Sequence, residues 1–549
     1  MNRNANGNGL PFHANSPSRR SASGNPFTMA RRISPGRLFI LVGLGFISLV
    51  AITRILFGSN GSHSSSAEQD AQNNAASDAE RELKVQQILD TRTSAYSFDD
   101  FTEQGLVFPG NEHLMPATAI LLGWKRLEGL KLIVSYLARY PYIKEIIVWN
   151  NNKENVLSRR DFEMDPSFGP LPELQVFNAK ENLHDFAKYM SCSLAKYQHC
   201  YFQDDDWLNT HMDALYTNFL TAPNLIHTNT LPMIHMEHRR WTFTNEEYKM
   251  HAGFSWMGTG SFLPREKAQR LLEQGGNSNL AKDRIKVIDM YFSIWTNQYP
   301  YQLVNYLTPL DQKNGWSTEG VSDHWSIVFR NMLDAADRLY SALVANPEVS
   351  EKDYFPRDED LPVIKDRHAR SPCFNDKCLF KTSMDAFPEP KAVVFNGNLQ
   401  TIEEQNQKFI ALPDYPTNEF FDKFAYNHAV DNDPETCWNS FKAPQPGDSF
   451  GLQFVKGTAL RKFTVNSSKS LAHLEGKFSV QVSDHAGVEW TICKHTVRFP
   501  TSTSMALDIN CPSAPHLAKG LVNNVKIEFD QSVERSLEVC GMNVGGMVL

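Results

Sequence analysis

Short apolar segments alternate with helical segments between residues 117 and 203, and this alternation constrains the fold more than any other feature of the sequence. Helices are predicted over Leu127–Leu137, where apolar residues recur at helical spacing, and over about residues 182–197. Four segments have the length and apolar character of buried strands: Ala117–Leu122, Lys144–Trp149, Leu174–Phe177 and Cys200–Gln203. Strands that alternate with helices indicate an α/β domain with a largely parallel sheet, which binds ligands at the carboxyl ends of its strands.

The chain is too long for one ordinary core, and its charge is close to balanced. Its 549 residues predict at least two folded units, at roughly 100–200 residues per domain. Lys and Arg number 54 and Asp and Glu number 62, which gives a formal net charge of −8. A general nucleic-acid-binding protein would carry a strong basic excess, so the composition argues against nucleic acid as a partner.

The N-terminal region has the pattern of a membrane anchor. Residues 1–37 are basic and predict a cytosolic tail, and the apolar residues 38–57 predict a transmembrane signal anchor. A cleaved signal peptide and a buried soluble helix are the alternatives. We therefore expect a single-pass type II protein of the Golgi or ER membrane, attached through one helix. Residues 58–112 would form a lumenal stem, and the catalytic part would lie in the lumen.

Cysteine usage is consistent with an oxidising compartment. All eight cysteines follow the apolar segment: Cys192, Cys200, Cys373, Cys378, Cys437, Cys493, Cys511 and Cys540. Their pairing stays open, although Cys373 and Cys378 are near enough in sequence to close a small loop. A zinc site is the alternative, but paired Cys-x-x-Cys units are missing. Asn60 and Asn466 begin N-glycosylation sequons, which a lumenal chain would expose.

Three consecutive aspartates, Asp204–Asp206, follow the fourth predicted strand, and we call them the acidic triplet. Adjacent carboxylates repel one another unless a cation neutralises them, and their hard oxygen ligands suit Mg²⁺ or Mn²⁺. Such a metal is usually completed by substrate phosphates, which suits transfer from a nucleotide diphosphate. An acidic surface turn is the alternative. A Gly-x-x-x-x-Gly-Lys loop is absent from the sequence, which disfavours a P-loop nucleotidase.

Five segments, in order along the chain, resemble the exostosin-like glycosyltransferases of family 64. They are Ala119–Arg126, Ile146–Asn151, Gln203–Asp206, Trp256–Phe262 and Ile288–Phe292. The resemblance implies a GT-A fold for residues 113–345, which is a Rossmann-like nucleotide-sugar transferase domain with an Asp-x-Asp metal motif. It also implies a UDP-sugar donor and retention of the anomeric configuration.

The resemblance implies four residues of the nucleotide-sugar site. Arg126 would face the diphosphate, Asn150 and Asn182 would lie against the uridine and ribose, and Asp205 would belong to the same site. Each asparagine also has a local interpretation. Asn150 begins an ordinary strand-to-loop turn, and Asn182 can cap the helix that follows it.

The resemblance also implies the metal ligands and the catalytic carboxylate. Asp204 and Asp206 would hold the metal, Mn²⁺ or Mg²⁺, and Asp289 would lie across the sugar as the catalytic residue. Asp289 can alternatively be a carboxylate that favours a helix start. The sequence departs from the family pattern at two places, since Ile288 precedes Asp289 where two acidic residues are usual, and Lys188 is the nearest match to an expected basic residue.

His324 and Arg330 are additional candidate site residues. They lie where GT-A folds often place a C-terminal metal or phosphate contact. A histidine beside Trp325 is more often a packed structural residue than a ligand.

The C-terminal part predicts a β-sandwich. Residues 346–415 are rich in Pro and charge and are predicted to be a linker, whereas residues 416–549 contain short alternating strands separated by polar turns. Ala429–Trp438 resembles the opening of discoidin or galactose-binding-like domains, whose fold does not fix a ligand. Trp438 can be either a core residue or a sugar platform.

Taken together, these patterns predict an α/β GT-A domain followed by an all-β sandwich, with an N-terminal transmembrane helix. The predicted function is metal-dependent transfer of a hexosamine or hexose from a UDP-sugar to a glycan or glycoprotein acceptor. The alternatives are a membrane-anchored glycan-binding protein with an inactive transferase-like domain, and an inverting GT-A transferase.

Overall fold

The computed structural model describes eleven stretches of the chain. They are residues 82–98, 114–232, 242–311, 324–345, 369–384, 394–398, 423–484, 487, 489–513, 521–545 and 547–548. All of them belong to one compact unit. The predicted tail and anchor, residues 1–57, and most of the predicted stem lie outside the described residues.

The predicted fold class needs a correction at the membrane helix. Within the described stretches, no helix combines the length and the apolar character needed to cross a bilayer. The described structure is therefore a mixed α/β fold without the transmembrane helix that the sequence prediction included.

The N-terminal half contains an α/β sheet flanked by helices. The strands of this half of the molecule are β1 Ala117–Gly123, β2 Ile143–Asn150, β3 Glu173–Asn178, β4 His199–Gln203, β5 Trp207–Leu208, β6 His227–Thr230, β7 Thr242–Asn245, β8 Met250–Gly253, β9 Ser261–Pro264, β10 Tyr301–Val304 and β11 Thr308–Pro309. Its helices are α1 over residues 82–91, α2 Leu127–Leu137, α3 Phe186–Leu194, α4 Met212–Thr221, α5 Arg265–Asn277, α6 Lys282–Ile285, α7 Asp289–Trp295 and α8 His324–Ala345. All four predicted strands and both predicted helices are present.

Seven strands form the main sheet in the order β10-β6-β9-β4-β1-β2-β3. β3, β2, β1 and β4 are parallel, and β9 runs antiparallel between β4 and β6. Every residue of β1 is buried, as its continuous apolar sequence requires for a strand covered on both faces. The carboxyl ends of β1, β2 and β4 therefore meet at one edge of the sheet.

The C-terminal half is a ten-stranded sheet. Its strands are β12 Ala369–Pro372, β13 Cys378–Thr382, β15 Ser449–Thr458, β16 Lys462–Asn466, β17 Phe478–Ser483, β18 Trp490–Thr501, β19 Ser504–Asn510, β20 Val522–Phe529, β22 Gly541–Val544 and β23 Met547–Val548. The short strands β14 Trp438–Asn439 and β21 Glu538–Val539 pair separately. The order in the sheet is β12-β13-β15-β20-β17-β18-β19-β16-β22-β23.

The sequence predicted an all-β sandwich, and the structure corrects this to one curled sheet. β18 pairs with β17 over its first residues and with β19 over the rest, so one strand joins both halves. The sheet curls around a single core in which Val480 and Val525 of one half meet Phe463 and Leu507 of the other. Trp438 is fully buried in this core, so it is a core residue and not a sugar platform.

The two halves share buried surface. β12 and β13 fall inside the range predicted as a linker, where β13 pairs with β15. Leu379 and Val455 belong to the core of the α/β half, and Val304 of β10 belongs to the core of the β-rich half. Asp376, in the loop between β12 and β13, accepts hydrogen bonds from backbone N–H groups at the start of α4.

All eight cysteines form disulfides, which the sequence left unassigned. The pairs are Cys192–Cys200, Cys373–Cys378, Cys437–Cys540 and Cys493–Cys511. The predicted loop between Cys373 and Cys378 is confirmed.

Candidate functional site

A cavity of about 160 Å³ lies where the strands β1, β2 and β4 end. Most of its polar lining is charged, and every member of the acidic triplet contributes to it. The lining residues are Leu122, Gly123, Trp124, Arg126, Asn151, Asn182, Asp185, Lys188, Asp204, Asp205, Asp206, Trp256 and Asp289. The location is the one expected for a ligand site in an open α/β sheet.

Backbone contacts hold the acidic triplet in place. The N–H of Asp204 donates to the carbonyl of Gly258 at 2.8 Å. A Cβ on Gly258 would lie 1.8 Å from Asp204 Oδ2, and a Cβ on Gly129 would lie 2.4 Å from the Asp205 carbonyl oxygen. Glycine is therefore needed at both positions, because any side chain would push the triplet out of place.

Arg126 pairs with two members of the triplet. It precedes α2, and its Nη1 lies 2.9 Å from Asp205 Oδ1 and 3.0 Å from Asp206 Oδ2. The Arg126 side chain is 10% exposed. Burial lowers the pKa of Arg126, but the negative charges of Asp206 and Asp205 outweigh that effect and raise it. The guanidinium is thus a permanent positive charge on the cavity wall.

Lys188, on α3, is 1% exposed and contacts three aspartates. Its Nζ lies 3.1 Å from Asp204 Oδ1, 3.1 Å from Asp289 Oδ2 and 3.4 Å from Asp185 Oδ1. Burial acts to lower the pKa of Lys188, but the three carboxylates together raise it. The side chain is therefore a charged ammonium, and it links three segments that are distant in sequence.

Asp289 is the first residue of α7 and is 2% exposed. Its Oδ1 accepts a hydrogen bond from the Tyr189 hydroxyl at 2.8 Å, and its Oδ2 accepts one from Lys188 at 3.1 Å. Burial raises the pKa of Asp289, and the Lys188 charge opposes that rise. Both oxygens are fixed by donors from consecutive residues of α3, so the carboxylate has one orientation.

Negative charge exceeds positive charge in this cavity. Five aspartates face Arg126 and Lys188, which leaves three negative charges unbalanced when all the carboxylates are ionised. Burial raises the pKa of Asp205 to about 7, although Arg126 opposes the rise. Burial and the charge of Asp204 raise the pKa of Asp206 to about 6. The cavity therefore favours either bound protons or an added cation.

The residues fit a divalent cation that arrives with a phosphate ligand. In the described part of the chain, no three His, Cys, Asp or Glu side chains form a group that could hold a metal ion by themselves. Asp204 Oδ1 is buried and accepts no hydrogen bond, although Lys188 Nζ lies 3.1 Å from it, whereas Asp204 Oδ2 accepts a hydrogen bond from the same Nζ at 3.3 Å. Mg²⁺ and Mn²⁺ are commonly held by one or two carboxylates together with substrate phosphates, and this donor set matches that pattern.

The predicted asparagines occupy different positions. Asn150 does not line the cavity, because its Nδ2 donates to Asn178 Oδ1 at 2.8 Å and to the Asn152 carbonyl at 3.1 Å, which fixes the loop after β2. Asn182 lines the cavity, and its Oδ1 accepts a hydrogen bond from the His184 N–H at 2.8 Å. Asn182 therefore stabilises the turn before α3 while facing the cavity.

Of the two additional candidates, Arg330 does not line the cavity. Arg330 is exposed and lies 3.4 Å from Asp283 Oδ2. His324 begins α8, and its side chain lies outside the described part of the structure.

Sequence reasoning gave no site role to several cavity residues, among them Trp124, Asn151 and Asp185. Asn151 Oδ1 accepts a hydrogen bond from the Leu183 N–H at 3.1 Å, so it connects the end of β2 to the turn before α3. Asp185 lies three residues before Lys188, a helical spacing that could have paired them. Trp124 follows the first strand directly, where ligand-facing residues are expected.

Comparison with known proteins shows no family model and no curated protein that matches the chain. The exostosin-like family is therefore not shown. Among solved structures, a mannosyltransferase from Pyrobaculum calidifontis in complex with GDP-Man and Mn²⁺ is 11% identical, covers 50% of this chain and 75% of its own, and has a TM-score of 0.28.

Other solved structures similar to part of this chain are carbohydrate-binding domains. A family 32 module of Clostridium perfringens in complex with GalNAc-beta-1,3-galactose is 16% identical over 22% of this chain and 84% of its own, with a TM-score of 0.17. The family 32 module of C. perfringens NanJ in complex with galactose is 13% identical over 22% and 85%, also with a TM-score of 0.17. All three scores lie below 0.5, so these likenesses establish no function for this chain.

Proposed function

We propose that the chain is a glycosyltransferase that takes a sugar from a nucleotide diphosphate and transfers it to a glycan hydroxyl. One observation carries the proposal: five aspartates and two positively charged side chains, Arg126 and Lys188, line one cavity at the carboxyl ends of parallel strands. A diphosphate needs positive groups, and a divalent cation needs carboxylate oxygens. This cavity offers both within hydrogen-bonding distance of each other.

The side chains would divide the reaction between a phosphate end and a sugar end. Arg126 and Lys188 would neutralise the diphosphate, and Asp204 and Asp206 would hold a divalent cation, Mn²⁺ or Mg²⁺. That cation would stabilise negative charge on the leaving diphosphate. Asp289 would present a fixed carboxylate to the sugar, where positive charge develops at the anomeric carbon.

The transfer balances without any further reactant. The bond between the anomeric carbon and the diphosphate oxygen breaks, and its electron pair leaves with the nucleoside diphosphate. The acceptor hydroxyl oxygen bonds to the anomeric carbon and loses its proton to the leaving phosphate or to solvent. A UDP-sugar donor, a hexosamine or hexose as the transferred group and retention of configuration are the finer form of this proposal, and they rest on the sequence resemblance.

Location in the lumen of the Golgi or ER stays a prediction. Four disulfides support an oxidising compartment, since thiols in the cytosol are kept reduced.

Nucleotide binding and turnover test the proposal separately. We expect UDP with Mn²⁺ to raise the melting temperature of the purified full chain, and UDP to be released from a UDP-sugar when a glycan acceptor is added. Asp204→Asn should weaken Mn²⁺-dependent UDP binding at least tenfold, an estimate of about 1.4 kcal/mol or more for one lost charged ligand.

The matched control is Asp283→Asn, which removes an exposed aspartate outside the cavity and should leave UDP binding unchanged. Binding of UDP without turnover on any UDP-sugar would favour the glycan-binding alternative. A chain that no nucleotide stabilises, with or without Mn²⁺, would contradict the proposal.

A further inference from the structure

Lys188 occupies the place between carboxylates that a bound cation would otherwise take. Its Nζ is within 3.4 Å of both oxygens of Asp204 and of one oxygen each of Asp185 and Asp289, and the side chain is 1% exposed. An ammonium has three N–H donors, so these three carboxylates match its capacity. Lys188 is thus an internal counter-ion for Asp185, Asp204 and Asp289.

Arg126 is the internal counter-ion for the two remaining aspartates of the cavity. It pairs with Asp205 and Asp206 at 2.9 and 3.0 Å, so each of the five aspartates already faces a positive group of the protein. The net negative charge of the cavity attracts a divalent cation, but a cation that enters alone must also approach these two positive charges at short range. Arg126 and Lys188 repel the divalent cation, and the low effective dielectric of a buried site strengthens this repulsion. The affinity of the cavity for the cation alone is therefore lower.

A diphosphate changes this balance. Its oxygens form strong charge-assisted hydrogen bonds with guanidinium and ammonium groups, and both Arg126 and Lys188 line the cavity. Once these cations face phosphate, their attraction for Asp204 and Asp206 is reduced, and the carboxylate oxygens are available to a divalent cation. The two ligands therefore favour each other's binding, and this coupling is reciprocal.

We propose that Lys188 makes binding of the divalent cation dependent on the nucleotide diphosphate. The inference rests on the proposed function, because it concerns the same cavity and the same ligands. Lys188 would contact the diphosphate directly, and it acts on the metal through Asp204. The metal then enters together with the donor, and the cavity binds free metal only weakly.

Calorimetric titration of the full chain with Mn²⁺, in the presence and absence of UDP, tests this inference. We expect UDP to increase the Mn²⁺ affinity of the wild-type chain at least about tenfold, within the usual range of coupling between sites. In Lys188→Met, Mn²⁺ alone should bind at least about tenfold more tightly than to the wild type, because one repelling charge is gone and three carboxylates are released. A merely structural lysine would not raise metal affinity when removed.

Two further variants serve as controls. Lys188→Arg keeps the charge and should keep the dependence on UDP, and Lys196→Met removes an exposed lysine that pairs with Glu173, so it should behave as the wild type. Tight binding of Mn²⁺ to the wild type without UDP would overturn the inference. This test needs only the wild-type chain, so it holds even if Lys188→Met fails to fold. If UDP and Mn²⁺ bind independently, only this inference fails. If neither binds, the proposed function fails with it.

Discussion

Asp289 is clamped by two consecutive residues of α3, and this determines what its substitution should do. Tyr189 and Lys188 each donate to one of its oxygens. Asp289→Asn keeps the shape and removes the charge, so we expect turnover to fall about 10²–10³-fold, as for other preorganised electrostatic groups. The KM for the UDP-sugar should change little, since the diphosphate end is intact. Steady-state kinetics measure both values.

Tyr189→Phe is the matched control for this prediction. It removes one hydrogen bond to Asp289 and leaves the carboxylate charge and the Lys188 contact in place, so its loss of turnover should be much smaller. Equal losses in both variants would indicate that orientation, and not charge, is what the reaction needs. Near-normal turnover of Asp289→Asn would remove Asp289 from the mechanism.

The raised pKa of Asp205 predicts a pH dependence of stability. Burial raises it to about 7 in the folded protein, whereas an aspartate in an unfolded chain titrates near 3.9. The folded state therefore binds this proton more tightly, so the stabilisation is full below about pH 4 and is lost as the pH rises through about 7. Lowering the pH from 8 to 5 should raise the melting temperature of the ligand-free wild type more than that of Asp205→Asn. Parallel curves for the two proteins would contradict the assignment.

Residue-level prediction from the sequence worked where a side chain sits at a strand end. Residues directly after β4 reach the cavity because the strand sets their position, and the acidic triplet was found this way, whereas Arg126 was named from the family resemblance. The alternative interpretation of Asn150 as a turn residue agrees with its contacts to Asn152, whereas its hydrogen bond to Asn178, the last residue of β3, was not visible in the sequence. The hydrogen bonds to the two carboxylate oxygens of Asp289 likewise come from tertiary contacts, which the spacing of residues in the sequence does not reveal.

At the scale of elements, α4 receives its N-terminal cap from the other half of the molecule. Asp376 accepts hydrogen bonds from the N–H groups of Asp213 and Ala214, both at 2.9 Å, and no side chain at the N-cap His211 does so. Asp376→Ala should therefore lower the free energy of unfolding by about 1–2 kcal/mol, the usual cost of losing a helix cap. Chemical denaturation measures this change.

Asp376→Asn should recover only part of this loss, because its amide has one acceptor oxygen, whereas Oδ2 and Oδ1 of Asp376 each accept one of the two N–H groups. Asp433→Ala is the control away from the contact between the two halves. Asp433 is an exposed turn residue whose side chain accepts a hydrogen bond from the Glu435 N–H at 3.0 Å. An effect of Asp376→Ala no larger than that of Asp433→Ala would contradict a capping role.

The sequence predicted individual elements better than their assembly. The strands β1 to β4 match their predicted positions because continuous apolar runs have few other ways to be buried. That β18 joins two halves of one curled sheet depends on pairing with β17 and β19, which the residues of β18 do not reveal. β12 and β13 were missed because they lie in a stretch dominated by Pro and charged residues.

At the scale of the whole molecule, the two halves share apolar surface and cannot be separated without exposing it. Leu379 and Val455 belong to the α/β core, and Val304 belongs to the β-rich core. Phe395, which follows the first strands of the β-rich half in sequence, packs with Phe243 and Tyr340 of the α/β half. The chain therefore passes between the halves more than once.

A chain ending at Leu412 should therefore fail to fold cooperatively. It keeps β13 but lacks its partner β15, so Leu379 and Phe380 lose their cover and the sheet edge is left unpaired. We expect no sharp thermal transition and no UDP binding. As a control, a protease site inserted within residues 346–368 breaks the chain without removing either half. After cleavage, the two fragments should elute together and still bind UDP, because buried contacts hold them. A soluble chain ending at Leu412 that binds UDP would show that the α/β half is independent and that the shared core contributes little to its stability.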